Sequence, residues 1–381
     1  MPAQGPIGVL GGAGQVGRAA VRQLRSFGVR SVRVGARRPD AARRVIGGEP
    51  GGAGSVTIAA VDVFDPGALV SFCDGCEVVV NCAGPACEVG DRVARAALAA
   101  GAHYVDPSGD DELYSALTVL RFAAAGRIAM ISAGMMPGLT ALLPRYLAAD
   151  GFDRPERLTA YAGGRGHFTA VAAADYLATM RSGHGGSYAA WRHGIRQAHA
   201  LDPLVDAQLP VFPGRVTAMP YLSTETERLA QALGLAEASW YSVFDGAHMI
   251  AALRRHTGTG TGPALTAAAA ELSAAADLDL FGRQPYQAMV MQLDGLAGGS
   301  PRTRTLLLRA SCASELTGTF AALATWAVLR REVPAGLYHA GEALDPVIAT
   351  GRLGRAVAAP AVELSDAPVL VGPAEFQEGR L

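Results

Sequence analysis

The chain has 381 residues, enough for two domains that each bury a core. Half of the residues are apolar and the formal net charge is only -1, which argues against a nucleic-acid binder, a class that needs a basic excess. All 33 residues counted as Lys+Arg are arginine, so no mechanism that depends on a catalytic lysine is open to this protein.

Five cysteines is an odd number and argues against a disulfide framework. Cys73 and Cys76 form a single CxxC, and Cys76 is followed by a hydrophobic strand that ends at Cys82. Without a second CxxC, four ligands do not converge, and no metal site is expected. The N-terminus runs into a strand pattern without a basic or apolar leader, and no apolar stretch reaches membrane-spanning length. The expected location is the cytoplasm, with no membrane partner.

Along the first third, short β-rich runs alternate with helical patterns, as in a parallel sheet wound by crossovers. Strands are predicted at "IGVLGG", "SVRVGA", "SVTIAAVDV", "EVVVNCAG", "HYVDPS" and "RIAMISA". Helices are predicted near 15–27, 39–46, 66–73, 89–100 and 111–125, and the Gly/Pro-rich "GGEPGGAGS" is a loop. From Leu139 the pattern changes: a helix, a strand-like "RLTAYAGG", an Ala-rich helix, and an irregular stretch to about 220. "ASWYSVFDG" and "RTRTLLLRASCAS" read as strands of a second, mixed domain, and "TGTFAALATWAVLRR" as a long helix returning to the first. The expected architecture is a doubly wound parallel Rossmann sheet at 1–138 with an inserted α+β substrate and dimerisation domain at 139–313. A returning helix and tail at 314–381 complete it.

"VLGGAGQVGRAAVRQL" places Gly12-x-Gly14-x-x-Gly17 after a strand and before a helix. In such a turn Gly12 permits the sharp bend, Gly14 the approach of a pyrophosphate, and Gly17 close packing of helix on strand. Gln15 and Val16 lie at the helix N-terminus, where backbone N–H groups and the helix dipole favour an anion. The second strand ends in "VGARRPD": Gly35, Arg37 and Arg38 stand where an Asp or Glu would bind the ribose 2′-hydroxyl of NAD. Paired guanidinium groups suit a 2′-phosphate, so the expected cofactor is NADP(H). Asp62 after the third strand, and Cys82, Ala83, Gly84 and Pro85 after the fourth, complete the expected cofactor edge.

The stretches "GGAGQVG", "ARRP", "VVNCAGP", "ALAAGAHYVDPSGD", "AGMMPGLT" and "LTGTFAALATWAVLRREVPAGLY" occur in one order. In these stretches the chain resembles the glutamate-forming saccharopine dehydrogenase family over about 1–145 and 301–340. The resemblance implies a Rossmann domain, an inserted α+β domain with dimer and substrate contacts, and NAD(P)-dependent redox at a C–N bond. It also implies kinship with reductases of polyamine precursors and with enoyl reductases acting in trans on polyketides. Saccharopine-forming members carry an acid in the turn that here reads Met135-Met136-Pro137-Gly138. A substrate with several carboxylates would need counter-charges there, because a buried unpaired ion is costly. The apolar turn therefore argues against saccharopine and for a largely apolar or carrier-bound small molecule. The absence of lysine excludes the Tyr-x-x-x-Lys mechanism that "NCAG" would otherwise suggest.

Hydride transfer belongs to the cofactor, so the protein must orient the partners and manage one proton. Candidate proton-handling residues are Asp106 and Ser108 at the end of the fifth strand, and His167 in the Gly-rich "YAGGRGHF" loop. Tyr104, Met135, Met136, Pro137, Gly138, Tyr161, Arg165, Tyr188 and Trp191 are the candidate substrate contacts. Three activities follow as expectations: reduction of an imine, reduction of a conjugated C=C in a trans-acting enoyl reductase, or a redox-silent NADP-binding regulator similar to the NmrA-like proteins. The second domain favours an enzyme, with a homodimer and a role in secondary metabolism.

Overall fold

Strands rich in valine and isoleucine must be covered on both faces, and the first strands of this chain are. The computed structural model describes residues 5–368, apart from 48–53, 110, 182, 184, 257 and 259. Most of the expected Gly/Pro-rich loop at 47–55 thus lies outside the described residues. The chain divides into two units, 1–142 with 312–359, and 143–311 with 360 onward.

In the first unit, β1 (Ile7–Leu10), α1 (Gln15–Ser26), β2 (Ser31–Ala36), α2 (Pro39–Gly47), β3 (Ser55–Ala60) and α3 (Pro66–Cys73) form the first half of a winding. The second half is β4 (Val78–Asn81), α4 (Ala86–Val89), α5 (Arg92–Ala99), β5 (His103–Val105), α6 (Asp111–Thr118) and β6 (Ile128–Ile131). Helix α7 (Leu139–Ala149) leads out of the unit, and the following strands belong to the second. Val78, Val79 and Val80 are fully buried, as are Ile131 and Leu10. Burying each such side chain contributes roughly 1.5–3 kcal/mol, which is what holds these short strands in place.

The second unit begins with β7 (Arg154–Arg165), α8 (Ala170–Arg181), β8 (Gly186–Ser187), β9 (Ala190–Arg192), β10 (Ile195–Gln197) and β11 (Leu204–Gln208). It continues through β12 (Arg215–Leu222), α9 (Thr224–Leu233), β13 (Glu237–Phe244), α10 (Ala247–Arg255), α11 (Pro263–Leu280), β14 (Tyr286–Ala297) and β15 (Ser300–Ala310). The chain then re-enters the first unit with α12 (Ala313–Leu329), β16 (Gly336–His339), α13 (Ala340–Ala343) and α14 (Pro346–Leu353), and ends its described part in β17 (Ala361–Ser365).

The first sheet has the order β16-β6-β5-β4-β1-β2-β3, all parallel. Strand order reverses between β1 and β4, which puts a ligand-binding crevice at the carboxyl ends of those two strands. The returning helix α12 packs on α1 at close range: a Cβ on Gly318 would meet the Val16 carbonyl oxygen at 2.2 Å. Phe27 stacks on Trp326 at 5.2 Å beside that contact.

The second sheet follows β10-β9-β13-β7-β14-β15-β17, with β12 joining β13 to β11 and β8. Only β7 and β13 run parallel, so the sheet is mixed. Helices α8, α10 and α11 make one core through Ala173, Leu177, Ala252, Leu265 and Leu272. A separate core holds Tyr161, Phe212, Tyr241 and Val290. Two features differ from expectation. The stretch before 220 is not irregular: it builds β8 through β11 from strands of two to five residues, too short to leave a clear alternation in sequence, and opens β12. The tail does not stay with the returning helix: β17 pairs antiparallel with β15, Thr305 facing Ser365 and Arg309 facing Ala361.

Candidate functional site

The turn after β1 gives each glycine a distinct task. Gly11, absent from the expected set, is the residue with positive φ (67°), and a Cβ there would lie 2.4 Å from the Cys82 carbonyl oxygen. Gly12 is instead constrained by β2, where its Cβ would meet Val34 at 2.9 Å. A Cβ on Gly17 would meet the Gly11 oxygen at 2.3 Å, so the helix can approach the strand only with glycine there. Gly14 has almost open space, with Gly11 oxygen at 3.2 Å as its single neighbour. It caps α1 without a side-chain hydrogen bond, and the first turn holds no acid. The N–H groups of the first helical turn are therefore unclaimed by side chains, the arrangement an anionic group needs.

Around this helix end lie the other expected cofactor residues. Gln15 accepts from the Ser314 hydroxyl at 3.0 Å, and the Val16 backbone lies under α12. Gly35 belongs to the core instead: its Cβ would meet Val61, Leu10 and Phe72 within 2.8 Å, so its role is packing. Arg37 and Arg38 are exposed just past β2 and neither forms an ion pair among the described residues; the nearby Asp40 is paired with Arg43 at 2.5 Å. Asp62 is exposed and turns the chain by accepting from the Phe64 N–H at 3.0 Å. Cys82, Ala83, Gly84 and Pro85 are half-buried at the end of β4, and burial raises the Cys82 thiol well above its ordinary range.

Asp106, expected as a proton-handling residue at the end of the fifth strand, lies just past β5 with its carboxylate turned into the protein. It is 2% exposed and accepts from Asn81 Nδ2 at 2.9 Å, the Tyr104 hydroxyl, and the Ser108 N–H at 2.8 Å. Burial pushes its carboxyl up and these three donors pull it back, and burial also raises the Tyr104 hydroxyl well above its ordinary range. Asp106 is a positioning group that ties the ends of β4 and β5 together, not a proton donor to a ligand. Tyr104 is fully buried on it and cannot touch substrate. Ser108, half-buried one turn further, keeps its hydroxyl free of protein partners among the described residues.

The stretch Ser132 to Gly138 closes on itself. The Gly134 N–H donates to Pro137 O at 3.0 Å and the Leu139 N–H to Gly134 O at 3.0 Å. Gly138 has φ 127°, and its Cβ would meet Ser132 and Gly134 oxygens at 2.4 Å. Met135 is buried, while Met136 is 44% exposed. Ser132, also with positive φ (53°), is fully buried; it donates to Gly109 O and lies 3.0 Å from His339 Nδ1, whose ring stacks on Tyr114 at 4.7 Å. The Ser132–His339–Tyr114 cluster was not foreseen, because 207 residues separate Ser132 from His339.

In the second unit, the expected contacts disperse. His167 is 65% exposed and pairs with Asp277 at 2.7 Å. Arg165 is buried, held by Asp245 at 2.7 Å, while Asp245 also takes Arg283 and the Tyr286 hydroxyl. A guanidinium so neutralised is a structural ion pair, not a free substrate clamp. Trp191, a candidate substrate contact, is buried with its indole N–H on Leu235 O at 3.0 Å, and Tyr188, another, stacks on His199. Tyr161 does line a cavity, with Tyr241 and Tyr286. Among the described residues no cluster of His, Cys, Asp and Glu could hold a metal ion, and no helix is long and apolar enough to cross a membrane.

Residues 7–134 match the family described as saccharopine dehydrogenase NADP binding domain. Among solved structures, the apo saccharopine dehydrogenase (L-Glu forming) of Saccharomyces cerevisiae is similar with a TM-score of 0.65 at 14% identity, covering 95% of this chain and 100% of that one. The C. glutamicum DAP dehydrogenase in complex with DAP has a TM-score of 0.44 at 14% identity, over 90% of this chain and 95% of that one. A myo-inositol dehydrogenase from Corynebacterium glutamicum has 0.45 at 9% identity, over 86% and 88%. No curated protein matches the sequence. A whole-chain likeness at 14% identity shows the fold, and the family match is confined to residues 7–134. Residues 7–134 are similar to the NADP-binding domain of saccharopine dehydrogenases, and over its whole length the chain shares the fold of the yeast enzyme.

Proposed function

We propose that the protein is an NADP(H)-dependent reductase of a largely apolar or carrier-bound small molecule, acting on an imine or on a conjugated C=C bond. The observation that carries the cofactor preference is the pair Arg37 and Arg38, exposed after β2 with no carboxylate on either and no acid where NAD would need one. The α1 N-terminus and the Gly11–Gly14 turn suit the pyrophosphate, and the half-buried 82–85 loop supports a backbone turn lying against the cofactor. NADP(H), when bound, supplies or accepts the hydride. The chain's own tasks are to fix that edge, which Asn81, Tyr104 and Asp106 do, and to pass a proton, for which the unengaged Ser108 hydroxyl is the first-unit candidate.

The substrate class rests on the Ser132–Gly138 turn, which satisfies its own amides and presents Met136 in place of an acid. Family chemistry favours the imine; the apolar turn favours the enoyl group. A homodimer working in secondary metabolism accompanies this reading.

Fluorescence titration with NADPH and NADH tests the cofactor, and tighter binding of NADH would refute the two-arginine reading. Following absorbance at 340 nm with panels of cyclic imines and enoyl thioesters then tests the chemistry. Tight NADPH binding with no turnover across both panels would favour the redox-silent regulator, and sedimentation gives the oligomeric state.

A further inference from the structure

The second unit contains a cavity of about 1080 Å³, large enough for a drug-sized organic ligand. Its floor is the sheet: Tyr161 on β7 faces Tyr241 on β13 in register, and their rings stack at 4.8 Å with 9° between planes. Phe212, from the loop between β11 and β12, meets the Tyr286 ring edge-on at 6.3 Å. The lining also includes the aliphatic Leu209, Pro210 and Val211.

Two features show what this apolar space lacks. Tyr161 and Tyr241 are 8% and 6% exposed, yet neither hydroxyl has a hydrogen-bond partner among the described residues. The rings are buried but both residues line the cavity, so hydroxyls with no partner inside the protein stand available to a ligand. Tyr286 shows the contrast, because its hydroxyl is already spent on Asp245 at 2.7 Å. The second feature is charge. Arg309 lines the same cavity with no ion pair among the described residues, whereas the one acid there, Asp206, is taken by Arg215 at 2.8 Å. The cavity therefore offers flat aromatic faces, two open hydroxyl donors and one open cation.

We propose that this cavity binds a planar conjugated carboxylate, an aryl or enoyl acid, with its flat part on the Tyr161–Tyr241 stack and its carboxylate answered by the two hydroxyls and Arg309. Aromatic rings favour offset or edge-on partners at these spacings, and charge-assisted hydrogen bonds give the anion its specificity. The site lies within the second unit and the inference does not depend on the reductase reading.

Titrating the full chain with trans-cinnamate by ligand-detected NMR, without NADPH, tests it. Saturable binding is expected. Tyr161→Phe combined with Tyr241→Phe keeps both rings and is expected to weaken binding roughly tenfold through loss of the hydroxyl donors. Arg309→Gln is expected to weaken cinnamate by a similar factor, about tenfold, and to leave cinnamyl alcohol unchanged. Circular dichroism and the denaturation midpoint of each variant, compared with the wild-type chain, report that it is folded. Absence of binding to the wild-type chain overturns the proposal, whether or not sedimentation shows a second copy on that face. Cinnamate binding that both variants leave intact overturns it equally.

Discussion

Two glycine turns follow strands of the same parallel sheet, β1 and β6, and spend their backbone donors differently. After β1, Gly11 to Gly17 brings a helix close and leaves its first N–H groups without side-chain caps. After β6, Ser132 to Gly138 is equally crowded, with a Cβ on Gly138 at 2.4 Å from two carbonyl oxygens against 2.3 Å for Gly17. The second turn nevertheless spends its amides on itself, through Gly134 to Pro137 and Leu139 to Gly134. Tight backbone approach does not by itself mean ligand binding. What separates a phosphate cradle from a wall is whether the donors remain available.

The largest effects should come from filling either turn. Gly17→Ala and Gly138→Ala each force backbone apart and should cost on the order of 3–5 kcal/mol, read as a lowered denaturation midpoint. Their consequences for cofactor should differ. The Gly17 variant, measured below its own midpoint, should lose NADPH binding altogether, while folded Gly138→Ala protein should retain it. Equal loss in both would erase the distinction between cradle and wall.

Acid should weaken the amino edge of the parallel sheet, the edge opposite both turns. His103 starts β5, is buried, and accepts the Ile128 N–H at 2.8 Å on Nδ1, which ties it to the start of β6. Burial first, and then the charges of Arg127 and Arg331, push its pKa down to about 4 from 6.5. The unfolded chain takes up this proton first, so the stability contributed by neutral His103 is complete above about 6.5 and is lost as pH falls toward about 4. The loss should be on the order of 3 kcal/mol, seen as a falling urea midpoint between pH 7 and 4. His103→Gln should flatten that slope; an unchanged slope would assign the acid sensitivity elsewhere.

Much of the cradle was legible in sequence because its constraints are local. Gly12, Gly14 and Gly17 lie within six residues, and Arg37 and Arg38 follow their strand directly. Gly11 escaped because the spacing motif does not mark which glycine carries the positive φ. Tyr104 and Asp106 were legible as residues of the fifth strand's carboxyl end, but not their burial against each other and Asn81, because β4 supplies Asn81 from 25 residues away. The aromatic cavity was illegible as a unit. Tyr161, Tyr241 and Tyr286 come from strands up to 125 positions apart, and only the register of β7 against β13 brings the first two together. Arg165 shows the reverse error: the sequence displays a cation in a glycine loop and conceals Asp245, 80 residues on, that neutralises it.

A more moderate effect should separate the cofactors. Removing Arg37 or Arg38 takes one guanidinium from the cradle rim without touching the helix N-terminus or the second turn. Arg37→Ala should weaken NADPH roughly ten- to fiftyfold and NADH by less than about twofold, by the worth of a charge-assisted contact. Because both side chains are exposed and unpaired, the denaturation midpoint should hardly move. Parallel weakening of both cofactors would mean the arginines act on the fold of the β2–α2 turn and not on a 2′-phosphate.

The smallest effect on fold, and the sharpest on chemistry, should come from Met136. Its side chain is 44% exposed on a turn whose backbone is already closed, so Met136→Asp should change stability by no more than about 0.5 kcal/mol. It should also leave NADPH affinity unchanged, since the cradle is built from other segments. If the second turn is an apolar wall for substrate, a carboxylate placed on it must be desolvated whenever an apolar group approaches, and that penalty appears only in the presence of substrate. Turnover of an apolar imine or enoyl substrate should therefore fall by about tenfold or more in kcat/KM, whereas an amine-bearing analogue should lose less or gain. A loss of NADPH affinity in the same variant would show instead that the second turn belongs to the cradle, and that its self-satisfied amides were no guide to its role.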